Sequence, residues 1–182
     1  MIGGSELSPR PQTTAFGFSI VERCIIESLG RRQFGDVERA QASEFFGEPL
    51  QCVYCGSSDV KRWDHLISVR AHGETVLGNM VPSCGPCDDS KAQTDFEEWM
   101  FGEAPRSRSI RGDLGVGEVH SRLEVLRAYM RQFHYVAIPI NERLNPQEYE
   151  DFKALIERLK EIRGSAEELI RRVAQRVKRT AC

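Results

Sequence analysis

Apolar residues recur at helical spacing at both ends of the chain, and strand-forming residues cluster in its middle. Within residues 15–50, this spacing predicts one helix that ends before Gly30 and a second from Asp36 to Phe46. Strand formers then concentrate from Val60 to Val69, and a second short apolar run begins at Met80. The pattern therefore predicts helices on both sides of a small β-hairpin.

The C-terminal segment, residues 118–182, has the clearest helical pattern. Its first apolar stripe consists of Val119, Leu123, Leu126, Met130 and Phe133. Asn145 can cap a following helix whose first residue would be Pro146. We expect that helix to end at Gly164 and another to begin after Ser165, which would make this segment a three-helix unit with a basic tail.

Two segments lack such a pattern. Residues 1–14 are rich in Gly, Ser, Pro and Thr and are predicted to be disordered. Residues 104–117 have the composition of a loop or linker. The remaining segment, residues 51–103, contains the hairpin and the candidate chemistry.

Composition narrows the class of protein. With 182 residues, 40% apolar and 29% charged, the chain is typical of a soluble globular protein, and we expect a cytoplasmic location without a membrane partner. The net charge of −2 argues against a generally basic nucleic-acid-binding surface. The last twelve residues nevertheless carry five basic groups and no acid, and these side chains either face phosphate or are simply solvated.

Four cysteines form two pairs with the spacing of metal ligands. They are Cys52, Cys55, Cys84 and Cys87. Two such pairs can surround one tetrahedral ion and leave no open position, as in structural zinc sites. The alternative is two disulfides, but a cytoplasmic chain favours zinc. The 28 residues between the pairs are long enough to hold the hairpin.

Carboxylates lie at both ends of the predicted hairpin. Asp64 falls near the end of the first strand and Asp88 in the first turn of a predicted helix, so a ββα unit around zinc would bring them together. Two carboxylates with water and phosphate as further ligands suit Mg²⁺ or Mn²⁺. His65 would point to the other side of the strand and could act as a general base.

The motifs of this segment resemble those of the HNH endonuclease family, the ββα-metal nucleases. The matching residues are Asp64-His65-Leu66-Ile67, Asn79-Met80-Val81-Pro82 and Cys84-Gly85-Pro86-Cys87-Asp88-x-x-Lys91. The resemblance implies an α+β fold with a small zinc-stabilised ββα module between helical flanks. It also implies that His65 is the general base, that Asp64 binds a divalent cation and that Asn79 positions the loop.

The chain departs from the family pattern at its last motif position. Asp88 stands where Asn or His is usual, although an aspartate also binds hard cations. Lys91, Arg70 and His72 are candidate nucleic-acid contacts, and each has the alternative of an ordinary surface residue. Asp64 could instead cap a turn, and His65 could be a half-buried histidine without a catalytic role. Their position between the two cysteine pairs favours catalysis.

Three functional hypotheses follow. The first is a metal-dependent endonuclease that hydrolyses DNA, most simply double-stranded DNA. Cleavage of both strands would then need a homodimer, which the C-terminal helices could provide, or a second cleavage event. The second is a catalytically inactive zinc-ribbon module that binds nucleic acid or protein. The third is a nuclease subunit of a larger restriction or phage-defence complex whose partner supplies DNA binding.

Overall fold

The computed structural model describes residues 13–102 and 114–180. Residues 1–12 and 103–113, which make up most of the two segments predicted to lack a periodic pattern, lie outside this range. The described residues divide into two compact units, one within residues 25–145 and the other formed by residues 13–24 with 146–180.

The N-terminal helices follow the predicted pattern. Helix α1 spans Thr14–Ser28, and helix α2 spans Asp36–Phe46, as predicted. The carboxylate of Glu38 accepts a hydrogen bond from the amide of Gly35 at 2.8 Å, which stabilises the start of α2. Residues 25–28, the last turn of α1, lie in the same compact unit as the hairpin.

Two small sheets lie within residues 25–145. Strands β1 (Arg32–Gln33) and β3 (Thr75–Val76) form a parallel pair that the sequence pattern does not predict, because two residues are too few for a recognisable alternation. Strands β2 (Val60–His65) and β4 (Met80–Cys84) form the predicted antiparallel hairpin.

Two short helices complete the central module. Helix α3 spans Gly85–Lys91 and follows β4 directly, with a proline in its first turn, where the missing amide hydrogen costs nothing. Helix α4 spans Phe96–Phe101, and Asp95 caps it by accepting hydrogen bonds from two backbone amides. The arrangement of β2, β4 and α3 confirms the predicted α+β class and its small ββα module.

Helix α5, Val116–Gln132, contributes most of its predicted apolar stripe to the core. The fully buried members of the cluster that it joins include Tyr54, Leu66, Val81, Trp99, Met100, Leu123, Leu126 and Tyr129. Tyr54 packs edge-on against Trp99 at 5.1 Å between ring centres. The hairpin therefore packs directly against α3 and shares its buried cluster with α4 and α5.

Helix α6 spans Ile140–Arg143, and helix α7 runs without a break over Pro146–Thr180. The start of α7 at Pro146 was predicted, whereas the predicted end at Gly164 is wrong. Arg163 donates a hydrogen bond to Glu167 across the glycine at 2.7 Å, and a solvent-exposed glycine costs an otherwise favourable helix only about 1 kcal/mol.

Across the described ranges, no helix is both long enough and apolar enough to cross a membrane.

Candidate active site

The four cysteines converge at one end of the hairpin. Cys52 and Cys55 lie in the turn before β2, Cys84 ends β4 and Cys87 lies in the first turn of α3. Their sulfur atoms all lie within 4.8 Å of one another, and those of Cys55 and Cys84 are 3.7 Å apart. A tetrahedron with Zn–S bonds of about 2.3 Å has sulfur atoms about 3.8 Å apart. The cluster therefore has the dimensions of a closed four-thiolate zinc site.

The electrostatics of the cluster also suit a metal. A hydrogen bond with Cys87 lowers the pKa of Cys52 to about 4, and backbone amides add to this effect. Burial raises the pKa of Cys55 to about 11. These cysteines are free thiols rather than disulfides. One thiolate is thus already favoured, and a dication would favour ionisation of the others.

Asp64 lies almost completely buried near the end of β2, with 5% of its surface exposed. Its Oδ2 atom accepts a hydrogen bond from the Tyr54 hydroxyl at 2.8 Å and lies 3.2 Å from Nζ of Lys91. Burial raises the pKa of Asp64, while the charge of Lys91 and the Tyr54 hydrogen bond act in the opposite direction. Both contacts use Oδ2, so Oδ1 remains available to a cation.

Asp88 lies on the first turn of α3, facing the same region. Its carboxylate accepts a hydrogen bond from Arg62 at 2.6 Å, and the same guanidinium nitrogen binds Asp89 at 2.8 Å. The negative charge of Asp88 contributes to the raised pKa of Asp64. The two carboxylates predicted to converge are therefore near enough to interact electrostatically.

Asp64 and Asp88 supply some, but not all, of the ligands that a hard divalent cation needs. Asp64 offers one oxygen atom. Within the described ranges, Asp88 has Arg62 as its side-chain partner, and this arginine is 47% exposed and can move into solvent. Among the described residues, the four cysteines are the only cluster of three or more potential protein ligands. A cation at Asp64 and Asp88 would therefore take its other ligands from water and substrate, as Mg²⁺ often does.

His65, at the end of β2, has a different set of partners from its neighbour Asp64. Its Nε2 atom lies 3.0 Å from Oγ1 of Thr75 on β3, and that hydroxyl in turn donates to Glu27 of α1 at 3.0 Å. The carbonyl oxygen of His65 accepts a hydrogen bond from Lys91 at 2.6 Å. Backbone and ring are thus held by different groups.

Asn79 is fully buried and spans the loop between β2 and β4. Its Oδ1 accepts a hydrogen bond from the amide of Ile67 at 2.8 Å, and its Nδ2 donates to the carbonyls of Ile67 and Glu74 at 3.1 and 2.8 Å. These three bonds hold the two ends of the loop that follows His65.

Lys91 requires a correction. It was a candidate nucleic-acid contact, but its side chain is 0% exposed and its ammonium group is used by Asp64 and His65. A fully buried ammonium group cannot reach an external phosphate. The helical position of Lys91 alone does not reveal this, because its partners on β2 are 26 and 27 residues away in the sequence.

The other two candidate nucleic-acid contacts differ from each other. Arg70 is exposed, in a short 3₁₀ turn. His72 is half-buried, with a left-handed backbone (φ of 66°). Its ring accepts a long hydrogen bond from the amide of Ile140 at 3.4 Å, and its carbonyl accepts one from Arg143. Burial and the nearby charge of Arg143 lower the pKa of His72.

Sequence reasoning missed the residues that surround the site. They are Glu27, Tyr54, Arg62 and Thr75. Tyr54 lies inside the first cysteine pair and Arg62 lies two residues before Asp64, so proximity was an available signal for both. Glu27 lies far from the motif along the chain, and nothing in its local pattern indicates its position.

Comparison with known families gives a match to the central module. Residues 52–94 match the family model described as HNH endonuclease. Neither curated proteins nor solved structures gave a significant match to the chain. The matched segment contains all four cysteines together with Asp64, His65, Asn79 and Asp88, so this part of the chain is similar to the HNH endonuclease family.

Proposed function

We propose that the protein is a metal-dependent endonuclease that hydrolyses phosphodiester bonds in DNA. The observation that carries this proposal is the position of Asp64 and His65 within the HNH match, at the end of β2, in a hairpin whose other end holds the cysteine cluster. In the proposed mechanism, His65 accepts a proton from the attacking water. Double-stranded DNA is the proposed substrate.

The carboxylates of Asp64 and Asp88 would hold Mg²⁺ or Mn²⁺. A cation there supplies electrostatic stabilisation of the phosphate and the leaving oxygen. Arg62 would have to release Asp88, and its exposure supports this exchange. The positive charge of Lys91 favours the charged form of Asp64, and Asn79 holds the loop after His65. The four cysteines would hold one structural zinc per chain.

The experiment is plasmid cleavage by purified protein with Mg²⁺ or Mn²⁺ and with excess EDTA. His65→Ala should lower the cleavage rate by about 10²- to 10⁴-fold, the usual contribution of a general base. His120→Ala, an exposed histidine on α5, serves as the matched control. Equal rates for wild type and His65→Ala, at equal zinc content, would contradict the assignment.

A catalytically inactive binding module is the second candidate, and one observation favours it. Arg62 binds both Asp88 and Asp89, so it neutralises charge where a cation would bind. If this state persists, the protein should bind DNA or protein without metal-dependent cleavage. Absence of cleavage in the plasmid experiment, together with a DNA complex that is unchanged by EDTA, would support the second candidate.

Two partner arrangements extend the proposal. With one candidate site per chain, cleavage of both strands requires a homodimer or a second cleavage event. The net charge of −2 supports the other arrangement, in which a partner within a restriction or phage-defence complex supplies much of the DNA contact. The exposed apolar residues of α7 supply a surface for the homodimer.

A further inference from the structure

A chain of two hydrogen bonds links His65 to helix α1, outside the HNH match. Nε2 of His65 lies 3.0 Å from Oγ1 of Thr75, and Oγ1 of Thr75 donates to Oε1 of Glu27 at 3.0 Å. Thr75 lies within residues 52–94, whereas Glu27 lies well before them. The ring of the proposed base therefore depends on a carboxylate that the HNH segment does not contain.

The direction of these bonds determines which ring nitrogen carries the proton. A hydroxyl has one hydrogen to donate, and a carboxylate can only accept. Since Thr75 gives its hydrogen to Glu27, only its lone pairs remain for the ring of His65. Nε2 of His65 must then be the donor, which leaves Nδ1 without a proton in the neutral ring.

Neighbouring contacts fix the positions of Thr75 on β3 and Glu27 on α1. Thr75 pairs with Arg32 across the two parallel strands, and its amide donates to the carbonyl of Arg31 at 3.2 Å. The preceding residue, Glu74, is nearly fully buried and forms hydrogen bonds with the guanidinium of Arg31 at 2.6 to 3.1 Å. Glu27 is 19% exposed and lies 3.9 Å from the guanidinium of Arg32.

We propose that Thr75 and Glu27 are positioning residues that hold His65 in the tautomer with the proton on Nε2. In this tautomer Nδ1 is the basic nitrogen of the ring, and under the proposed function it is the atom that takes up the proton. The tautomer itself follows from the hydrogen bonds, whereas its effect on cleavage rests on the proposed nuclease function.

The first test measures the tautomer without any substrate. Long-range ¹H–¹⁵N spectra of the zinc-loaded protein distinguish the two neutral tautomers, and only four histidines contribute signals. The signal of His65 is assigned by its loss in His65→Ala. At a pH well above the ordinary histidine value of about 6.5, wild type should carry the proton on Nε2.

Two substitutions should remove this preference. Thr75→Val keeps the shape of the side chain but has no hydroxyl, so both tautomers should become populated. Glu27→Gln replaces an obligate acceptor with an amide that can also donate, so Thr75 can give its hydrogen to His65 instead. Thr75→Ser restores the hydroxyl and should restore the wild-type tautomer. Glu44→Gln, at an exposed position of α2, is the control.

The second test measures cleavage by the same variants. Thr75→Val should lower kcat by about 10- to 100-fold with little change in KM, because the fraction of correctly protonated base falls while substrate contacts remain. Thr75→Ser should recover most of that loss. Equal melting temperatures and zinc contents exclude simple unfolding as the cause.

The two tests separate this inference from the proposed function. A proton on Nδ1 in wild type, or an unchanged tautomer in Thr75→Val, overturns the inference whatever the cleavage activity. A wild-type protein that has the expected tautomer and loses it in Thr75→Val, but does not cleave DNA, supports the inference and contradicts the nuclease function. A wild-type kcat in a Thr75→Val variant with a changed tautomer overturns the effect on catalysis.

Discussion

At the scale of single residues, Lys91 has the largest influence on the charge of the site. Its buried ammonium group lies 3.2 Å from Asp64, a carboxylate whose pKa burial would otherwise raise further. A buried charge with its partner removed is strongly destabilising, whereas an exposed pair contributes little. Lys91 is therefore more important for the folded state of the site than for contact with DNA.

The substitution Lys91→Met should lower the free energy of unfolding by about 3 to 5 kcal/mol at neutral pH, because it leaves the buried carboxylate of Asp64 without its charged partner. Urea denaturation of the zinc-loaded protein measures the change. Lys61→Met, on the same strand as Asp64 but with a lysine that is 68% exposed, should change it by less than about 1 kcal/mol. Equal effects of the two substitutions would contradict the structural role of Lys91.

The decrease in the free energy of unfolding caused by Lys91→Met should depend on pH in a defined direction. The folded-state pKa of Asp64 is already raised, and removal of Lys91 raises it further. A carboxyl group whose pKa is raised in the folded state stabilises the folded protein while it is protonated. This stabilisation is lost as the pH rises through the folded-state pKa. The difference in stability between wild type and Lys91→Met should therefore grow from mildly acidic to neutral pH.

At the scale of elements, the sequence predicts what is encoded locally. The cysteine pairs, the hairpin and the start of α7 at Pro146 each depend on neighbouring residues, so local sequence signals are sufficient to predict them. The parallel pairing of β1 with β3 and the contact between Thr75 and Glu27 depend on residues more than 40 positions apart. No local pattern contains that information, so the surroundings of His65 could not be predicted.

The failed prediction at Gly164 has a physical explanation. Glycine often ends a helix by adopting a left-handed backbone, but here the helical contacts continue on both sides. Ser165 donates a hydrogen bond to the carbonyl of Glu161 at 3.0 Å, and Arg163 binds Glu167. The hydrogen bonds formed by residues on both sides of Gly164 therefore outweigh the tendency of this glycine to end the helix.

The substitution Gly164→Ala tests the continuity of α7. In an uninterrupted helix it should raise the free energy of unfolding by about 0.5 to 1 kcal/mol, since alanine loses less backbone entropy and no atom lies within 4 Å of the added Cβ. Thermal unfolding followed by circular dichroism measures the change. Gly17→Ala, in α1 and equally open, is a matched control for a helical glycine. A helix that ended at Gly164 would instead be destabilised.

At the scale of the whole molecule, α7 exposes an apolar surface that its own unit leaves open. Exposed aliphatic side chains on this helix are Leu155, Ile162, Leu169, Ile170, Val173 and Val177. Leu155, Ile162 and Leu169 are spaced by seven residues, and Ile170, Val173 and Val177 by three and four, so all six share one face of the helix. A partner helix would bury this surface and stabilise the C-terminal half of α7.

Charge indicates how a second copy would pair. Three acidic residues occur between Glu148 and Asp151, at the start of α7, and four basic residues occur between Arg171 and Lys178, near its end. Antiparallel pairing of two copies would place these opposite charges together, whereas parallel pairing would place like charges together. We therefore expect an antiparallel homodimer through α7.

Sedimentation velocity of the zinc-loaded protein tests this expectation. Wild type should sediment as a dimer at micromolar concentration, and Ile162→Glu combined with Ile170→Glu should give a monomer, because each introduces an unpaired charge into the apolar interface. Val125→Glu, at a valine that is 47% exposed on α5, should leave the dimer intact. The dimer should also weaken with salt, since screening reduces attraction between the oppositely charged ends. A wild-type monomer throughout this range would rule out α7 as a self-association surface, and single-strand nicks would then be the expected product of plasmid cleavage.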